Sequence, residues 1–223
     1  MARARDLADF NTAVEAAEAH NRVAIGYLRT GNVALAERAL ERLRAAWRQL
    51  NAEFAGKTPT VFKGDAYYGI AMTDISARLI TADLMINSGH PQVAREALEA
   101  VRDDLYKLRK SAGVVVLADC IRDSSTALDA LMEYDKRDLD WNNPQVRADL
   151  AAKAAGYAHA LATCDALASP ALRQEGEFRR LIDGAKEGLA LIPKAITTSD
   201  TKLLHRVLIQ LRSFDNLLEF RFG

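Results

Sequence analysis

Only two cysteines, five prolines and two tryptophans occur among the 223 residues of this chain. Each scarcity removes a class of protein. Two cysteines cannot frame a disulfide-rich scaffold, and they are not spaced as Cys-x-x-Cys, so thioredoxin-type redox chemistry and haem attachment through Cys-x-x-Cys-His have no support. Net charge is missing as well. Thirty Lys and Arg balance thirty Asp and Glu, which leaves no field to draw the chain onto nucleic acid or an anionic membrane surface. Long apolar runs are absent, since uncharged stretches such as residues 111–118 fall far short of the ~20 residues a bilayer span requires. Neither a nucleic-acid partner nor membrane insertion is expected.

Catalytic punctuation is also lacking. There is no Gly-x-Ser-x-Gly, no Walker loop and no Gly-x-Gly-x-x-Gly, and the glycines at 184 and 188 fall inside a helical pattern. The first ten residues carry Arg3, Arg5, Asp6 and Asp9 and lack the apolar region of a secretory leader, so the chain is either cytosolic or a mature form whose leader is gone.

What the chain does contain is helix. It is 49% hydrophobic and 27% charged, enough apolar material for a sizeable core. Apolar residues recur at spacings of three and four through eight segments of about 20 residues each. The third segment shows the pattern: Tyr68, Ala71, Ile75, Leu79, Ala82 and Ile86. Four turns punctuate the segments, at Thr30-Gly31-Asn32, Ser88-Gly89-His90-Pro91, Asn142-Asn143-Pro144 and Thr198-Ser199-Asp200. They lie about 55 residues apart, each between two helical patterns, and so define four helical hairpins. Prolines after Asn143 and Ser169 sit where a helix's first turn tolerates them, and Asp65 and Asp200 supply further caps. Pro193 instead falls within the seventh pattern, where it must kink or shorten the helix.

A shift of about 110 residues pairs Leu40 with Leu150, Trp47 with Tyr157, Leu98 with Leu208 and Leu108 with Leu218. The expected fold is therefore all-α, a tandem duplication of an up-down-up-down four-helix bundle, with residues 1–112 forming the first copy and 113–223 the second. A solenoid of hairpins and one fused, domain-swapped bundle are the competing architectures; stripes that run the full helix length favour tandem bundles.

Cys120 and Cys164 are equidistant from the turn near Asn142, which places them at one height in an antiparallel hairpin. A disulfide there closes a loop of about 45 residues and contributes on the order of 3–4 kcal/mol by restricting the unfolded chain. It also implies an oxidising, exported compartment such as the periplasm, the cytoplasm being the alternative. His20, His90, His159 and His205 fall one per hairpin at differing heights, and Glu-x-x-His is absent, so no metal site and no cofactor are expected. Asp119 and Asp123 read as a solvated face, and the acidic stretch from Tyr134 to Asp140 as a solvated turn.

Ligand-binding candidates cluster in the first half. Asn21 interrupts an apolar stripe at the height of Arg78, and Trp47, Tyr67 and Tyr68 gather with Asp65 at the opposite end, where tyrosines beside a carboxylate suit a planar or cationic ligand. The functional expectation is a non-enzymatic helical binding protein, exported, for a protein partner or a small molecule. The alternative is a metal- or cofactor-carrying periplasmic four-helix bundle, an analogy of fold alone.

Overall fold

The computed structural model describes residues 2–135 and 137–223, with side chains from Arg5 onward. Met1 at the charged start and Lys136 within the acidic turn lie outside the described residues. Every segment with three-and-four spacing is helical, and among the described residues there is no strand. The first hairpin pairs α1 (Ala2–Arg29) with α2 (Val33–Phe54), and the second pairs α3 (Ala66–Asn87) with α4 (Pro91–Ser111). The third joins α5 (Leu117–Met132) to α6 (Pro144–Leu167). The fourth begins with a short α7 (Pro170–Gln174), then runs through α8 (Gly176–Leu189) and α9 (Ile192–Thr197) to α10 (Thr201–Phe222).

Short polar side chains fix where these helices start, because each accepts a backbone N–H that the first turn leaves unpaired. Asn32 accepts from Leu35, Asp65 from Tyr67, Asn143 from Gln145, Ser169 from Leu172 and Asp200 from Leu203. Gly31 and Gly89 turn the first two hairpins in the left-handed region, with φ of 75° and 76°. Ser199 holds the corresponding place in the fourth turn at φ 52°, a conformation that costs a side-chain-bearing residue about 1 kcal/mol.

The chain divides into two compact units, Met1–Val115 and Val116–Gly223, each with its own apolar core. In the first, α1 packs on α2 and α4, and α3 packs on the same two helices, so the four close into a ring of antiparallel neighbours. The second has the same order of neighbours, with α5 and α8 each lying between α6 and α10. Leu40, Leu43, Leu98 and Leu105 are fully buried in the first core, and Leu150, Leu161, Leu208 and Leu211 in the second, each worth about 1.5–3 kcal/mol of removed apolar surface.

The two rings differ at one helix. Where the sequence pattern suggests a single long seventh helix, the backbone breaks between Leu189 and Ile192, and Pro193 sits in the first turn of α9. The cause is local: proline has no N–H to give the Leu189 carbonyl, and its ring crowds the preceding turn.

Candidate functional site

The ligand candidates of the first unit occupy separate places. Asn21 is fully buried; its amide Nδ2 donates to the Leu98 carbonyl at 3.1 Å, while its Oδ1 has no hydrogen-bond partner. Arg78 donates from Nε to the buried Asp104 carboxylate at 2.6 Å, joining α3 to α4. Tyr67 lies in the field of that pair. Its phenol is raised above the usual range, first by burial and then by the Asp104 and Asp74 carboxylates.

At the opposite end, Phe10 meets Phe54 and Phe62 edge-on, with centroids 5.2 and 5.7 Å apart, and Tyr68 stacks on Phe62 at 5.5 Å. The loop above this group is pinned to α1 by Asp6, which accepts from Thr60 N at 2.9 Å and Thr60 Oγ1 at 2.7 Å. Asp65 is engaged as the cap of α3 and also accepts from Ser111 Oγ at 3.1 Å. Trp47 stands apart from the ring cluster, donating from Nε1 to Ser76 Oγ at 2.9 Å. The structure thus brings Tyr68 to the phenylalanines and leaves Tyr67 in the field of Asp104, while Asn21, Asp65 and Trp47 each serve a different helix contact.

In the second unit Cys120 and Cys164 stand at disulfide distance with Cα atoms 5.4 Å apart, linking the start of α5 to the end of α6. The same unit buries two carboxylates that the apolar pattern does not reveal. Asp119 is buried rather than part of a solvated face, and Asp215 on α10 accepts from Ser125 Oγ at 3.1 Å and from the Tyr157 hydroxyl at 3.5 Å. An open apolar groove of about 530 Å³ lies along α6 and the break between α8 and α9, lined by Ala151, Ala155, Leu189, Pro193 and Ile196. Lys186 at its rim is bound to Asp165 at 2.6 Å. Among the described residues, no three His, Cys, Asp or Glu side chains gather as a metal ion requires, and no helix is long and apolar enough to cross a membrane.

The surface with the least internal explanation is the outward side of α3. Ile70, Ile80 and Leu84 are 52%, 62% and 58% exposed, alongside exposed Ala66, Gly69, Thr73, Ala77 and Thr81. The exposed charge on α3 is Asp74, at the edge of this face that turns towards α4. The two threonines add little polarity, because Thr73 and Thr81 turn their hydroxyls back onto the Gly69 and Ala77 carbonyls at 2.9 and 3.0 Å, leaving their methyls outermost. Singly exposed apolar residues are ordinary; a largely apolar face running the length of a helix marks an interaction surface. Its signal was present in the sequence, since Ile70, Ile80 and Leu84 lie off the core stripe of the same helix.

Fold and surface define an all-helical chain of hairpins with one apolar outward helix face. No protein-family model matches it, no curated protein matches it in sequence, and no solved structure matches it.

Proposed function

We propose that the chain is a non-enzymatic helical interaction protein that works in an oxidising, exported compartment and docks a protein partner along the outward face of α3. The exposure of Ile70, Ile80 and Leu84 on one face, with the charge of Asp74 at its edge, is the observation that carries this reading. Burying such side chains is worth about 1.5–3 kcal/mol each before the costs of association, and a helix exposing three of them in solution forgoes that gain. A thiol pair at disulfide distance supports the compartment, because such pairs persist outside the reducing cytosol.

The test is footprinting of the protein isolated at its native concentration from its own host. Hydroxyl-radical labelling of Ile80 and Leu84 is expected to be strongly protected there, with protection lost in an Ile80→Glu variant that keeps its helical circular dichroism. Full labelling of both residues in the native preparation would sink the docking reading. Two free thiols in that same preparation would sink the exported compartment.

A further inference from the structure

We infer, resting on the docking reading above, that the occupant of the α3 face is a second copy of this chain, packed about a two-fold axis parallel to α3. Three features of the face carry this. The first is shape. Ile80 follows Ser76 by one turn and precedes Asp83 by one turn, and those residues meet Trp47 and Arg44 on α2, so Ile80 leans to the α2 edge. Thr81 follows Arg78, which meets Asp104 on α4, by one turn and so leans to the α4 edge, while Ala77, between Ser76 and Arg78, lies on the midline. A two-fold axis parallel to the helix sets each edge against the opposite edge of the other copy at equal height. Ile80 of one copy then fills the hollow over Ala77 and Thr81 of the other, and Ile70 fills the hollow beside Thr73.

Charge is the second feature. Arg48 is exposed on the α2 edge, one turn beyond Arg44, and level with Ser76, which both of its neighbours Trp47 and Asn51 contact. Asp74 is exposed on the α4 edge, one turn before Arg78. The parallel two-fold brings Arg48 of each copy towards Asp74 of the other, twice by symmetry. An antiparallel two-fold brings Arg48 towards Arg48 and Asp74 towards Asp74, which repel.

The third is extent. A helix of 22 residues is roughly 33 Å long, and a strip reaching both edges, about 20 Å wide, covers roughly 650 Å² per copy. The total of roughly 1,300 Å² clears the ~1,000 Å² that a specific interface needs.

Sedimentation of the purified full chain between about 1 and 100 µM tests the inference. The expected species has twice the 24.5 kDa chain mass. Ile80→Glu, at an exposed position that the core does not need, is expected to weaken association about 100-fold with helicity unchanged. Arg48→Glu and Asp74→Lys should each weaken it about 10-fold, and the double variant should recover to within about 3-fold of the parent. Separate Thr73→Cys, Ala77→Cys and Leu84→Cys variants should each cross-link to their own copy on oxidation.

A chain that stays monomeric to about 100 µM overturns the self-association, while the docking reading stands if native-host protein still protects Ile80. A dimer indifferent to Ile80→Glu overturns the use of this face. Cross-linking at Ala77 alone overturns the parallel axis.

Discussion

Asp215 shows how a single buried carboxylate couples stability to pH. It is 1% exposed, and burial pushes its pKa up to about 6, with the Ser125 hydrogen bond and the nearby Arg212 offsetting only part of that cost and Glu219 and Asp129 adding to it. Tyr157, fully buried against it, is held well above the usual phenol range, first by burial and then by the Asp215 charge. Because the native state holds the Asp215 proton more tightly than the unfolded chain, the group's contribution is fully present below about pH 4 and is lost as pH rises through 6. The difference in unfolding free energy between wild type and Asp215→Asn should therefore change by roughly 2 kcal/mol, to the detriment of the wild type, between pH 4 and 7. Urea unfolding of the second unit at a series of pH values measures it, and a difference that stays flat with pH would count against the buried-carboxylate account. Legibility at this scale was uneven. Cys120 and Cys164 were readable because equal distances from one turn predict equal heights, whereas Asp215 takes a place on the buried stripe between Leu211 and Leu218, where a charged side chain does not register in an apolar pattern.

Elements were more readable than single contacts, because helix starts are written in local chemistry. Asn143, Ser169 and Asp200 cap the helices their positions suggested, and Pro193 breaks the helix it interrupts. What the local sequence does not carry is how closely two helices approach. Gly184 and Gly188 look like weak points in a helix, yet they are where α8 lies against α10: a Cβ added at Gly184 falls 2.6 Å from the Phe214 ring, and one at Gly188 falls 3.2 Å from Leu211. Gly156 on α6 has nothing within 4 Å. Gly156→Ala should thus stabilise the second unit by about 0.5–1 kcal/mol through helix propensity alone. Gly184→Ala should instead destabilise by about 1–3 kcal/mol, because displacing the ring outweighs the same propensity gain. Thermal unfolding of the two variants side by side decides this, and equal stabilisation would refute the close approach of α8 and α10.

For the molecule as a whole, the sequence made the hairpins and their common period visible, since turns and stripes are local signals repeated four times. The α3 face went unread for the opposite reason: an outward apolar residue looks like a second core residue until the core's own side is known. The two units also differ in how they are held. Each buries its own apolar cluster, but only the second carries the cysteine pair, whose members are 44 residues apart. Closing that loop restricts the unfolded chain of the second unit and does nothing for the first, so reduction should lower the stability of the second unit by roughly 3–4 kcal/mol. With a urea dependence of about 1–2 kcal/mol per molar for a unit this size, its midpoint should fall by roughly 2 M. The chain supplies a probe for each unit, Trp47 in the first and Trp141 in the second, and Trp47→Phe and Trp141→Phe isolate them. On adding reductant the Trp141 transition should move to lower urea while the Trp47 transition holds its place. Movement of both together would mean that the two cores unfold as one, and would overturn a staple confined to one unit.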